Sequence, residues 1–294
     1  IDGDITITVN AADVAGNPIS ASNITGLTAL KVDNTPATFS NVNPGSQSFN
    51  NVLNNFGWTL SESIDTGWVV FNKLSDGTKL NIPLLGIERV AGDKDAGSFL
   101  SGDPVISEES YDLVFTSIDT AGNTGRDTIS SFTYDITSPE ATVTFSELFA
   151  SPEQKDTILV TFNEKVAPAP NILMDWPNAI ALDLDDTMSL IDGGDSTVWF
   201  YEVTIPTHSS TNQGLIRSLT ITATDLATNP IDSADVSMPD TLYIDGTEAS
   251  AEFIYTNTSN SDLETLDVGI GGDVLRVTVR MNEPLSATDP LPTL

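Results

Sequence analysis

The 294-residue chain has no cysteine and one histidine, and its 11 Lys and Arg side chains face 42 Asp and Glu, for a formal net charge of −31. Without thiols it forms neither disulfides nor a zinc–thiolate site. Its one imidazole, His208, lies in the polar stretch Thr207-His208-Ser209-Ser210 and does not make a His-rich catalytic centre. The shortage of cations argues against recruitment to nucleic acid or anionic membrane, which works through Lys and Arg. No apolar run approaches the roughly 18 residues of a membrane span. The chain opens on Ile1 without a basic and apolar signal segment, so it is expected to be a processed product or a piece of something longer. A phosphate-cradling glycine loop with its Lys and a dinucleotide fingerprint are both missing.

What is present reads as folded β protein. Hydrophobic residues make up 39% of the chain, too many for a charge-driven disordered segment, and they fall in short alternating runs bounded by Gly, Pro, Asn and Asp. Asp outnumbers Glu 29 to 13, and Ser plus Thr supply about a fifth of the residues. That bias suits turns, strands and oxygen ligands, and long helices are not expected.

Three phrases recur in a fixed order. Asp13-Val14-Ala15-Gly16-Asn17 returns as Asp119-Thr120-Ala121-Gly122-Asn123 and as Asp225-Leu226-Ala227-Thr228-Asn229, both times after 106 residues. Asp33-Asn34-Thr35 returns as Asp135-Ile136-Thr137 and Asp245-Gly246-Thr247, with Pro36 and Pro139 shortly after the first two. The third phrase is a strand closed by a polar residue and Glu: Ser61-Glu62, Asn163-Glu164 and Asn282-Glu283. Cutting at Asp-x-Thr gives two complete repeats, 34–135 and 136–245, flanked by the C-terminal part of a preceding repeat, 1–33, and the N-terminal part of a following one, 246–294. Acidic excess is spread over all four pieces.

Each complete repeat has the length and turn rhythm of a seven-stranded sandwich. In the first, strands are predicted at Ala37 to Asn41, Phe56 to Ser61, Trp68 to Asn72, Lys79 to Leu84, around Ser98, Tyr111 to Ile118 and Ile129 to Tyr134. Turns are predicted at Ser75-Asp76-Gly77 and over Gly92-Asp93-Lys94-Asp95-Ala96-Gly97. In this order the three phrases resemble the bacterial Ig-like repeats of large surface proteins and adhesins, and more loosely cadherin-like arrays. The resemblance covers essentially the whole chain, departing from the pattern at Thr228, where Gly is usual, and at Glu248. It implies tandem immunoglobulin-like β-sandwiches forming an extracellular rod, often stiffened by calcium at the junctions.

Sandwich topology brings the approach to strand A, the B–C loop and the F–G loop to one pole. The first complete repeat should therefore gather Asp33, Glu62, Asp119 and Asn123, and the second Asp135, Glu164, Asp225 and Asn229. Asp13 and Asn17 belong to the preceding pole, Asp245 and Glu283 to the following one. Converging carboxylates repel one another unless a cation lies among them, and calcium, taking six to eight oxygens in loose geometry, suits an all-oxygen set. The alternative is that the Asp and Asn residues only form Asx-turns.

Other features carry less. Asp183, Asp185, Asp186, Asp192 and Asp195 could form a further calcium loop or a solvated one, and Gly271-Gly272-Asp273 reads as a turn before a strand. Asp93 and Asp95 fit a hairpin turn. No catalytic pattern accompanies the acids, so an enzyme is not expected. Trp58, Trp68, Trp176 and Trp199 could stack on sugars, while core packing is expected of Trp58 and Trp68. Asn23-Ile24-Thr25 and Asn257-Thr258-Ser259 match the glycosylation pattern. The cut repeats at both ends would expose strand edges; either they come from a longer array, or one subunit's end completes the next head to tail. The expectation is a structural cell-surface or secreted protein, an adhesin stalk or fibre unit. Its expected partners are neighbouring repeats or identical subunits, and a surface glycan or protein; a carbohydrate-binding module is the alternative.

Overall fold

The computed structural model describes residues 2–26, 30–175, 186–191, 194–205, 214–215, 218–258, 272 and 274–284. Its strands in chain order are β1 (Gly3–Ile5), β2 (Leu30–Val32), β3 (Phe39–Asn43), β4 (Phe49–Asn50), β5 (Phe56–Leu60), β6 (Ile64–Lys73), β7 (Lys79–Pro83), β8 (Gly92–Gly97), β9 (Glu109–Asp119) and β10 (Thr124–Tyr134). There follow β11 (Ala141–Phe145), β12 (Phe149–Ala150), β13 (Lys155–Phe162), β14 (Asn171–Asp175), β15 (Asp186–Thr187), β16 (Ser189–Leu190), β17 (Val198–Thr204) and β18 (Gly214–Leu215). The last are β19 (Ser218–Thr222), β20 (Val236–Ser237), β21 (Tyr243–Ile244), β22 (Ala251–Asn257) and β23 (Leu275–Met281). Among the described residues the only helical elements are short 3-10 turns, at 21–23, 86–89 and 233–235, and no helix is long and apolar enough to cross a membrane.

Two sandwiches follow one another. In the first, sheet β4-β10-β9-β6-β7 faces sheet β3-β5-β8. Its short β4 runs parallel to β10, while the other ladders are antiparallel. The first edge strand thus starts in one sheet and crosses to the other, the immunoglobulin-like arrangement. The second repeats it: β16-β17-β13-β11-β20 faces β12-β21-β18 and β15-β14-β19, and β12 runs parallel to β21.

Alternation builds each core, because successive side chains on a strand point to opposite faces. Along β9, Tyr111, Leu113 and Phe115 point inward; along β6, Val69 and Phe71 do. They meet Phe39, Phe56, Trp58 and Leu60 of the facing sheet, with Phe56 and Phe99 ring centroids 4.8 Å apart and Phe39 and Phe115 5.2 Å apart. The second core gathers Val143, Ile158, Val160, Ile172, Trp199, Val203 and Ile221. The two cores share no residue. Close backbone approach adds to the first: a Cβ on Gly125 of β10 would lie 1.9 Å from the Ala37 carbonyl oxygen.

One local expectation is overturned. Residues Gly92 to Gly97, read as a turn from their Gly and Asp content, form edge strand β8, paired antiparallel with β5 from Gly97 opposite Phe56 to Gly92 opposite Leu60. An edge strand exposed on one face needs little apolar content, and Asp93 takes a hydrogen bond from Thr59 Oγ1 at 2.6 Å across the ladder. A single bonded edge and a neighbouring polar partner thus override turn propensity.

At the ends, β1 pairs with β2 and β22 with β23, both antiparallel. Neither ladder is covered among the described residues: Ile5 and Leu30 are exposed on one, as are Ile7 and Val9 just beyond it, and Phe253, Tyr255 and Val277 on the other.

Candidate metal centres

Each recurring phrase owes its residues to a local bonding duty. Asp13, Asp119 and Asp225 all open the same Asx-turn. Asp119 Oδ1 accepts the backbone N–H of Ala121 at 2.9 Å and of Asn123 at 2.8 Å, while Asn123 Nδ2 donates to Oδ2 at 2.9 Å. Asp13 repeats this with Ala15 and Asn17, and Asp225 with Asn229. The turn needs a left-handed residue at its fourth position: Gly16 has φ 89°, Gly122 91°, and Thr228 is held at 73°. The terminal Asn also reaches the incoming strand, Asn123 Nδ2 donating to the Asp33 carbonyl at 3.1 Å and Asn229 Nδ2 to the Asp135 carbonyl at 3.0 Å.

In Asp-x-Thr, the aspartate Oδ1 accepts the threonine N–H, at 3.2 Å in Asp33, 3.0 Å in Asp135 and 3.0 Å in Asp245. In the polar-Glu pair, the polar side chain fastens the second strand to the first. Thr38 N donates to Ser61 Oγ at 2.9 Å, Glu140 N to Asn163 Oδ1 at 2.9 Å and Ser250 N to Asn282 Oδ1 at 2.7 Å. In the first two copies the glutamate that follows, Glu62 and Glu164, joins the carboxylates of its pole.

The result is two carboxylate triads. Asp33, Glu62 and Asp119 bring one oxygen each to within 4.8 Å of the others at the head of the first sandwich, and Asp135, Glu164 and Asp225 do so at the head of the second. Asp119 and Asp225 are buried and the other four half-buried. Oxygens bound to one calcium at about 2.4 Å cannot lie more than about 4.8 Å apart, so each triad fits a single ion. Backbone carbonyls and water would have to complete six to eight ligands.

The electrostatics follow from this convergence. Burial, then repulsion from Asp135, Asp225 and Glu108, pushes the Glu164 carboxyl up to about 7. Burial, then Asp33 and Asp119, raises Glu62, with Lys31 opposing. Burial also raises Asp135, against the hydrogen bond from Thr137. Asp119 goes the other way: burial would raise it, but the bonds from Asn123, Ala121 and Gly122 together hold it below the ordinary carboxylate range.

Of the other residues singled out, Asn123 and Asn229 lie against the triads through their amides, not as carboxylates. Asp13 and Asn17 form an exposed turn, and neither Asp245 nor Glu283 belongs to a carboxylate triad among the described residues. Glu283 Oε1 is buried without a hydrogen-bond partner. Asp183, Asp185, Asp192, His208, Gly271 and Asp273 lie outside the described residues, as does Trp176. Trp58 and Trp199 are buried and offer no open sugar platform, whereas Trp68, expected in the core, is half-buried and alternates with the inward-facing Val69 and Phe71, so it belongs to the outer face of β6.

Sequence reasoning passed over Asp2 and Glu108. Each stands eleven residues ahead of an F–G turn aspartate, Asp13 and Asp119, a spacing visible in the sequence.

No family model matches the chain, and no curated protein matches it. Solved structures do. One, on host cell-surface retention of a 1.5-MDa bacterial ice-binding adhesin, is 16% identical over 77% of this chain and 71% of that one, with a TM-score of 0.38. Murine CEACAM1b is 11% identical over 71% of this chain and 96% of its own, at 0.29. Titin domains Z1Z2 in complex with telethonin are 10% identical over 74% and 98%, at 0.23. At such values the likenesses do not bear on function. The chain's own topology and poles define a class: tandem immunoglobulin-like sandwiches with an acidic pole at the head of each.

Proposed function

We propose that this chain is a structural, non-enzymatic section of an extracellular rod, the stalk of a cell-surface adhesin or the unit of a fibre, whose junctions take up calcium. The observation that carries the reading is the pair of carboxylate triads, each built from the same three loops and each placed where one sandwich meets what precedes it. Three ion pairs are formed among the described residues, Lys73 with Asp76 and Glu109 and Arg280 with Glu252, and none involves a triad member. A divalent cation would neutralise the repulsion that, after burial, raises Glu62 and Glu164, and would tie three loops of each pole together. Calcium supplies charge and loose oxygen coordination; the chain supplies Asp33, Glu62 and Asp119, or Asp135, Glu164 and Asp225.

Calcium titration by calorimetry, with thermal unfolding and small-angle scattering in calcium and in chelator, tests the reading. Binding, a rise in melting temperature and a stiffer outline in calcium are expected. Identical curves in both buffers would remove calcium from the proposal. The repeating sandwiches also suit like partners, neighbouring units of the same kind or identical subunits. A carbohydrate-binding role has less support, because Trp58 and Trp199 pack inward.

A further inference from the structure

The sandwiches are joined by more than their linker. Glu108 stands at the foot of the first sandwich, just ahead of β9, yet its carboxylate reaches the Asp-x-Thr segment leading into the second. Glu108 Oε1 accepts the Ile136 N–H at 2.7 Å, and both its oxygens lie 2.9 Å from Thr137 Oγ1. One junction earlier Asp2 does the same: its Oδ1 accepts the Asn34 N–H at 2.7 Å and its Oδ2 the Thr35 hydroxyl.

Strand register shows these to be one position. Glu109 lies opposite Tyr134, the residue before Asp135, and Gly3 lies opposite Val32, the residue before Asp33. The acid is in each case the residue immediately before that paired position. In the third copy the described register reaches Gly214, opposite Ile244, the residue before Asp245. A second contact closes the same junction, where Asn51 Nδ2, also from the foot of the first sandwich, donates to Asn229 Oδ1 at 3.1 Å in the F–G turn of the second.

We propose that Asp2 and Glu108 are positioning residues lent by the preceding unit, each clamping the Asp-x-Thr segment so that its aspartate faces the triad and successive units are held at a fixed angle. The inference rests on the calcium reading only for the effect on cation binding; the clamp itself is a set of hydrogen bonds that needs no ion. Two charge-assisted bonds into one three-residue linker restrict its rotation, since a backbone N–H and a side-chain hydroxyl are held by the same rigid carboxylate. The clamp also sets a fourth negative charge beside each triad, felt by Glu62 from Asp2 and by Asp135 and Glu164 from Glu108. The acid is lent across the junction, so cation binding at a pole reports on how two units are placed.

The test uses the full chain, whose lack of cysteine permits clean labelling. Spin labels at S75C and S237C, both exposed, report the spread of distances between the sandwiches. Calorimetry with calcium chloride alone reports binding. Glu108→Gln should broaden the distance distribution in chelator and lower calcium affinity at one site about five- to ten-fold, the scale of one unit charge acting on a divalent ion from several ångströms away in water. Glu108→Asp should stay near wild type, because Asp2 performs the same task, and Thr137→Val should broaden the distribution as Glu108→Gln does. Distances unchanged in Glu108→Gln would overturn the clamp whatever the calcium result. Unchanged distances in Glu108→Asp with broadening in Glu108→Gln support it even if wild type binds no calcium, an outcome that would defeat only the calcium reading.

Discussion

Replacing Glu164 by Gln should stabilise the calcium-free protein and weaken the calcium-bound one. Glu164 is pushed from an ordinary 4.5 to about 7 by burial and by Asp135, Asp225 and Glu108. A carboxyl whose folded value is raised binds its proton more tightly in the folded chain than in the unfolded one. Its contribution to stability is then fully present below about pH 4.5, declines between 4.5 and 7, and is lost above about 7. The full difference would correspond to about 3 kcal/mol, but Glu164 is only half-buried, and solvent screening cuts this to about 1 kcal/mol. An amide is neutral at every pH and avoids this loss. In chelator at pH 8, Glu164→Gln should therefore melt about 4–8 °C higher than wild type if its sandwich unfolds as a unit of about 100 residues. At pH 4.5 the two should melt together. In calcium at pH 8 the order should reverse, because wild type gains an ion that the variant binds poorly. Scanning calorimetry at both pH values, with and without calcium, gives all these comparisons. A variant less stable than wild type in chelator at pH 8 would show that burial and the neighbouring carboxylates do not disfavour ionised Glu164, and the reasoning would fail.

Three further outcomes follow from particular contacts. Thr228 holds φ at 73° where its counterparts are Gly, a conformation costly for a β-branched residue, so Thr228→Gly should add about 1 kcal/mol, read by urea unfolding. Gly125→Ala puts a methyl group against the Ala37 backbone, which cannot swing aside as a side chain would, and should cost about 3 kcal/mol or more in the same assay. Phe115→Ala empties the centre of the first core and should cost about 3–5 kcal/mol. Since the two cores share no residue, only one of two calorimetric transitions should move; a joint shift would show that the sandwiches unfold together.

Much of this architecture is legible in the chain because repetition does the reading. A single Asp-x-Ala-Gly-Asn is a turn; two of them and the variant with Thr228 at equal spacing, each followed by Asp-x-Thr and then a polar-Glu pair, place three loops in one order, and sandwich topology does the rest. The convergence of Asp33, Glu62 and Asp119 follows from that order. The sequence does not show why Ser61, Asn163 and Asn282 precede the glutamates, since their bonds back to Thr38, Glu140 and Ser250 cross between strands. Strand β8 was hidden because Gly and Asp serve turns and exposed edge strands alike, and only pairing with β5 decides between them. Glu108 was hidden differently: its partner Thr137 lies 29 residues on, in the next unit, and nothing local marks an acid before a strand as a clamp.

The two poles are not equal, and the difference yields an ordering of affinities. Lys31 lies near enough to the first triad to oppose the rise of Glu62, whereas among the described residues no cation tempers Glu164 at the second. A lysine that eases carboxylate repulsion also repels an incoming divalent ion, so the same charge lowers both the strain and the affinity. The second pole should hence bind calcium first and the first pole more weakly. Lys31→Gln should tighten the weaker step alone by about five-fold, the effect of one unit charge on a divalent ion at several ångströms, and the gain should shrink as salt rises from low to physiological strength. Assignment comes from Glu62→Gln, which should abolish the weaker step, and Glu164→Gln, which should abolish the tighter one. If Lys31→Gln strengthened both steps equally, the charge would be acting through the general field of an acidic molecule, and the placement of these carboxylates at separate poles would not be what governs binding.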